Sequence, residues 1–261
     1  MTLLQQGVVD GGAARPTRKR FVAHHRHDRA FFLIFLAACW LGVVMGFTPP
    51  IAKRWAGQAD FPAPLILQVH AFAFGAWLLL LTAQILLVRV RRVGIHMSLG
   101  LIGFGLVPLM AVSAIVSEAY TQRFHVAHPP DNYPFFIVAI FYVSSFAILA
   151  GAALLRRKDP AAHKRLILLA TTIIVGAAYT RWWGDALTAR FGDGYAGMLV
   201  NTYTGTELLL LAALLYDLAT RGRLHRVYEV GVPAILLGEA ATSLVYHAAW
   251  WPPVAAVLVG R

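Results

Sequence analysis

The chain has 261 residues, of which 59% are hydrophobic and 13% charged. Soluble domains carry about 25% charged residues, so the composition excludes that class and assigns the chain to a bilayer. The net charge of +11 does not signal nucleic acid: the basic residues fall in short clusters between apolar spans, as they do in cytoplasmic loops of membrane proteins.

Residues 1–28, with "GVVDGGAARPTRKR" and "HHRHDR", read as a flexible basic cytoplasmic tail. His24, His25 and His27 have the chemistry of metal ligands, but their setting is that of a solvated charge run. Seven apolar spans follow, near residues 30–48, 64–88, 98–119, 134–155, 165–183, 199–219 and 231–251. At about 1.5 Å per residue each can cross a hydrocarbon core of about 30 Å. The predicted fold is therefore all-α, a polytopic seven-helix bundle over residues 29–261. The first span reads as a retained anchor, because a basic leader of roughly 29 residues precedes a long apolar stretch. Cys39 inside it reads as a small buried hydrophobe. With the N-terminus inside, 17 of the 23 Lys and Arg residues lie on the inner side, which predicts N-inside and C-outside. Trp182, Trp183, Trp250 and Trp251 then fall near outer span ends, as an aromatic belt.

The second span, "VHAFAFGAWLLLLTAQ", holds His70, Trp77 and Gln84 at intervals of seven. At about 100° per residue, seven residues return to within about 20° of the start. The three share one stripe, which must face protein because lipid cannot satisfy His or Gln. Interhelical hydrogen bonding is the plainest role for it.

Three inner loops share a layout of helix end, basic cluster, His and next helix: "LLVRVRRVGIH" to His96, "LLRRKDPAAH" to His163 and "LATRGRLH" to His225. This predicts one leading helix followed by three helical hairpins. In "KDPAAHKR", Asp159 suits a helix N-cap and Pro160 the first helical position, with His163 in the first turn. Asp217 and Arg221, four apart at an inner helix end, are expected to pair on the surface.

Polar groups within spans are functional candidates by default. At outer depth these are His70, Glu118, Tyr142, Arg181, Tyr203, Glu207, Tyr246 and His247, with Glu239 nearer the middle. If they converge, they offer a site for a polar head group, a proton relay or a metal held by His70, His247 and Glu207. At the inner boundary His96, His163 and His225 form a second candidate set, suited either to solvation or to ligation of haem. "HVAH", with His125 and His128, has ligand-like spacing in an outer loop.

The elements "VHAFAFGAWLLLLTAQ", "GIHMSLG" and "DPAAHKRLILLATT" resemble a broad group of bacterial multi-pass membrane proteins that carry VH…Q…H..LG and AHKR motifs. The similarity spans residues 65–183 and reaches more loosely to "LYDLATRGRLH". His70, Gln84, His96, Gly100, His163, Lys164 and Arg165 match the motifs. The group has no assigned chemistry, so the resemblance implies a fold and a bacterial inner membrane but no activity. In outline the histidines also resemble the cytochrome b561 class, which implies axial pairs for haem b. His70 with His247 or His128 would form the outer pair, and His96 with His163 the inner pair. The chain departs from that class in having no His within its fourth span and in placing His96 and His163 at boundaries.

The last span lacks the Lys of a retinal Schiff base, and the chain shows no nucleotide-binding loop or Ser or Cys triad. Three classes remain. The preferred one is a binding or accessory subunit whose outer-half polar site takes a lipid, a quinone or a partner within a larger membrane complex. The others are a metal or haem oxidoreductase and a small proton-coupled transporter using Glu207 and Glu239.

Overall fold

The structure, a computed structural model, describes residues 21–59, 61–125 and 133–260. Residues 1–20 of the basic tail and His128 lie outside them. Below, inner and outer name the sides assigned from the charge distribution.

Helices α1 (Asp28–Trp55) and α2 (Leu65–Arg89) are followed by α3 (Val93–Gly100) and α4 (Ile102–His125). Then come a 3-10 turn (Tyr133–Phe135) and α5 (Phe136–Leu155). The chain continues through α6 (Pro160–Phe191), α7 (Tyr195–Arg221), α8 (Arg226–Tyr246) and α9 (Trp251–Leu258). Seven spans are long and apolar enough to cross a membrane, with α3 and α4 together forming one of them. The protein is thus an integral, multi-pass, all-α bundle, as its composition predicts. The third span is jointed where the sequence suggests one helix. Gly100 and Gly103 weaken the helix there, and Pro108 has no N–H to offer the preceding turn.

Helix α6 is the axis of the fold and packs against α1, α5, α7 and α8. It starts as expected: Asp159 Oδ1 accepts from the N–H groups of Ala161 and Ala162, at 3.0 and 3.2 Å, with Pro160 next to it. It ends later than its apolar run, because "RWWGDALTARF" continues the helix beyond residue 183 to Phe191. Its contact with α1 is close. A Cβ on Gly46 would lie 2.1 Å from the carbonyl oxygen of Ala178, and one on Gly42 would lie 2.7 Å from the Tyr179 ring. "GVVMG" is thus a small-xxx-small contact, sealed by Tyr179, whose hydroxyl donates to Ala38 O at 2.9 Å. Helices α2, α4, α5 and α6 join on a second core of Ala73, Trp77, Met110, Phe146 and Ala170.

The inner end is held by ions. Arg165 donates to both oxygens of Asp217, at 2.7 and 2.5 Å, and Asp217 is 1% exposed. Asp217 and Arg221, expected as a surface pair, therefore belong to a buried network. Arg221 stands 3.5 Å from Asp217 and donates to Asp28 at 2.8 Å, and Asp28 also receives Lys164 and the Tyr216 hydroxyl. In a medium this apolar, only complementary pairing makes five such charges tolerable. Residues 21–27 of the basic tail lie on this network. Phe21 stacks under the guanidinium groups of Arg165, Arg221 and Arg223 at 4.5, 5.6 and 5.4 Å.

Helix α9 follows the last span. Trp251 is 4% exposed and donates to Pro134 O at 2.7 Å, so it is core rather than belt. Trp182 and Trp250 are exposed as a belt requires.

Candidate functional site

The polar residues of the outer half do not form one site. His247 is fully committed: its ring nitrogens bond Ser243 O at 2.8 Å and Asp193 O at 2.9 Å, and its ring stacks on Tyr195. Tyr246 lies beside it and meets Phe135 edge-on. Glu118 accepts from Gln122 on its own helix at 2.6 Å. His70 sits on α2 against Phe74, with Nδ1 enclosed and without a hydrogen-bond partner among the described residues, and it is within electrostatic reach of Arg181 on α6. Arg181 is exposed, bonds Ala177 O and lies over Phe47.

The metal set of His70, His247 and Glu207 is therefore not assembled. Its members sit on α2, at the end of α8 and on α7, and both His247 ring nitrogens face backbone carbonyls rather than the other two residues. Among the described residues no group of three or more His, Cys, Asp or Glu side chains is placed to hold a metal. The same commitment of His247 removes the outer haem pair formed with His70, while the alternative through His128 lies outside the described residues.

The seven-residue stripe on α2 faces protein, as its spacing predicts. Trp77 donates to Thr171 on α6 at 3.2 Å, and Gln84 Oε1 is enclosed. At the inner boundary the resemblance motifs meet. A Cβ on Gly100 would lie 3.3 Å from Gln84 Nε2. His96 approaches the Gln84 backbone and is within electrostatic reach of His163. His163 Nδ1 bonds Ala153 O at 2.8 Å. His225 stands apart from that pair. Its Nδ1 accepts from Val227 N at 3.1 Å and caps α8, and its ring meets Phe21 edge-on. Burial, with Arg165 nearby, lowers its pKa from the ordinary 6.5.

One constellation does converge, in the core between α5, α6, α7 and α8. On α8, Tyr228, Val232, Ile235, Glu239, Thr242 and Ser243 share a buried face, which turns Glu239 inward. On α7, Tyr203 and Thr206 are three apart and share the face toward it. Tyr142 on α5 meets Tyr203 at 5.8 Å between ring centroids, and both tyrosines are within electrostatic reach of Glu239. Gly176 of α6 fits only as glycine: a Cβ there would lie 2.1 Å from Thr206 Oγ1 and 3.2 Å from the Tyr142 hydroxyl. Thr206 Oγ1 and the Tyr142 hydroxyl are therefore near neighbours. Glu239 is 1% exposed and Tyr203 and Thr206 are 0% exposed. Among the described residues both Glu239 carboxyl oxygens lack a hydrogen-bond partner, while the Thr206 hydroxyl lies beside that of Tyr142 and the Tyr203 hydroxyl beside that of Thr242. Below them the interface is apolar, through Leu169, Ile173, Leu210, Val232 and Ile235. Glu207, one turn from Tyr203, is within electrostatic reach of Glu239 but lies on the exposed flank of α7.

Of this constellation, the residue pattern points to Tyr142, Tyr203, Glu207 and Glu239. It does not single out the hydroxyls of Thr206 and Thr242 or the Gly176 contact. "YTGTE" and "EAATS" do place hydroxyls three and four residues from an acid or Tyr, and that spacing is the signal that could have found them. No protein-family model, curated protein or solved structure matches the chain.

Proposed function

We propose that the protein is a proton-linked membrane carrier whose working group is Glu239, seated in a bacterial inner membrane as its motif resemblance implies. The observation that carries this reading is a fully buried carboxyl within a span, without a hydrogen-bond partner among the described residues and within reach of Tyr142 and Tyr203. Its charged form is costly in that medium and its neutral form is tolerated. Such a group stays protonated until a path to water opens, which is what a carrier requires. The close packing at Gly176, and at Gly238 against Phe141, favours an occupant far smaller than a quinone ring or a lipid head group.

The test uses wild-type protein in liposomes containing a pH-sensitive dye, with sodium and potassium salts on both sides and valinomycin to dissipate net charge. After an external pH jump the interior of wild-type liposomes should equilibrate, while Glu239→Gln, shown to be folded by its unfolding curve, should slow equilibration at least tenfold. Wild-type rates in folded Glu239→Gln would overturn the reading.

A second reading has its own observation. Glu207 projects from the exposed flank of α7 near mid-span, where lipid is a poor partner for a carboxyl. A covering subunit would satisfy it, which supports an accessory role in a larger complex; its mark is co-purification in mild detergent.

A further inference from the structure

We propose that the cluster of Glu239, Tyr203, Thr206 and Tyr142 is a sodium site, at which Na⁺ and a proton compete for one position. The inference rests on the assignment of Glu239 as the working group and names the ion that exchanges with its proton.

The donors are all oxygen: a carboxylate, two phenol hydroxyls and a Thr hydroxyl. Hard oxygen sets of this kind suit alkali and alkaline-earth cations rather than the thiolate- and imidazole-loving metals. A single accessible carboxylate balances one positive charge, which selects a monovalent over a divalent ion. The two Glu239 oxygens have no hydrogen-bond partner among the described residues, and the side chains of Glu239, Tyr203 and Thr206 are buried to nine-tenths or more. They come from two helices that face one another, and Tyr142 from α5 closes a third side. The Tyr142 hydroxyl also donates to Thr202 O at 3.2 Å, which leaves its oxygen free to accept.

The exchange balances charge. With Glu239 protonated the site is neutral; when the carboxyl proton leaves, Na⁺ enters and the site remains neutral. The titratable and charged groups around Glu239 are Tyr142 on α5, Arg181 on α6, Tyr203 and Glu207 on α7, and Tyr246 and His247 further along α8. Asp193 in the α6–α7 loop reaches Tyr246. Of these, Arg181 opposes a cation at the site and Glu207 favours it. The tight packing at Gly176, where a Cβ would lie 2.1 Å from Thr206 Oγ1, favours Na⁺ over the larger K⁺.

The experiment is thermal unfolding of the full chain in detergent, followed by tryptophan fluorescence, in NaCl, KCl or choline chloride at equal ionic strength over a range of pH. Infrared spectroscopy of the protonated carboxyl band runs in parallel. One-for-one exchange predicts stabilisation by Na⁺ alone. Its apparent affinity should tighten tenfold per pH unit while the carboxyl is protonated. Na⁺ should also remove an infrared carboxyl band that is missing in Glu239→Gln. Thr206→Val, nearly isosteric in its tight contact, should weaken the Na⁺ effect while leaving the fold intact. Equal unfolding temperatures in the three salts at every pH would overturn the sodium site; if the carboxyl band still titrated, the proton reading would survive. A Na⁺ effect undiminished in both Glu239→Gln and Thr206→Val would overturn the assignment to these residues.

Discussion

His225 shows how a single side chain links a helix terminus to pH. Its unprotonated Nδ1 accepts from Val227 N, and burial beside Arg165 holds its folded-state pKa below 6.5. Above that value both folded and unfolded chains carry a neutral imidazole, and the cap contributes fully. As pH falls through 6.5 the unfolded chain takes the proton first, so stability is lost until the folded-state value is also passed. Thermal unfolding from about pH 7.5 to about pH 5 should show this loss. Asn can cap without titrating, so His225→Asn should flatten the slope; an unchanged slope would show that the proton is taken up elsewhere. A His in an inner loop was readable from the residues, but its role was not, because the Phe21 and Arg165 contacts come from segments far away in the chain.

Among the elements, the spans were legible because each is a long apolar run between charges, and helix is the only form that satisfies its backbone in lipid. What escaped was which helix is central. "LILLATTIIVGAAYT" looks like its neighbours by composition; its small residues become informative only when α1 and α7 are seen pressed against it. The contact at Gly46 tests that centrality. Gly46→Leu places a branched side chain where even a Cβ would lie 2.1 Å from Ala178 O, so α1 must separate from α6. We expect a loss of about 1–3 kcal/mol, the usual cost of overpacking, read as a lowered unfolding temperature in detergent. Gly75→Leu, where a Cβ meets nothing within 4 Å, should cost far less. Equal losses at the two positions would contradict the close α1–α6 contact. The third span is a milder case of the same limit: its apolar run hides the joint between α3 and α4.

For the whole molecule, hydropathy and charge bias carried the architecture, and the depth of each polar residue followed from it. Depth alone could not sort the outer-half residues. His247 and Glu239 lie eight apart on one helix, yet one is tied to carbonyls and the other faces a core without partners. That difference depends on how four helices rotate against each other, which a chain of similar apolar runs does not encode locally. The exposed carboxyl of Glu207 is a property of the entire exterior. If a subunit covers it, a photo-crosslinking residue at position 207 should capture a defined protein in native membranes, while one at Leu237, on the exposed side of α8, should capture lipid alone. Lipid adducts only at both positions would leave the protein working as a single chain.

The length of α6 gives the molecule a lever. Its 32 residues make a rod about 48 Å long, well beyond the thickness of the hydrocarbon it crosses. One end is pinned by Arg165 and Asp217, and the other stands in the outer aqueous layer at Phe191. A rotation of about 5° around the pinned end would sweep the far end through about 4 Å, with Gly176 and the Glu239 cluster near the midpoint moving about half as far. Any displacement of the outer end about that pivot would therefore reach Gly176 and the Glu239 cluster reduced about twofold.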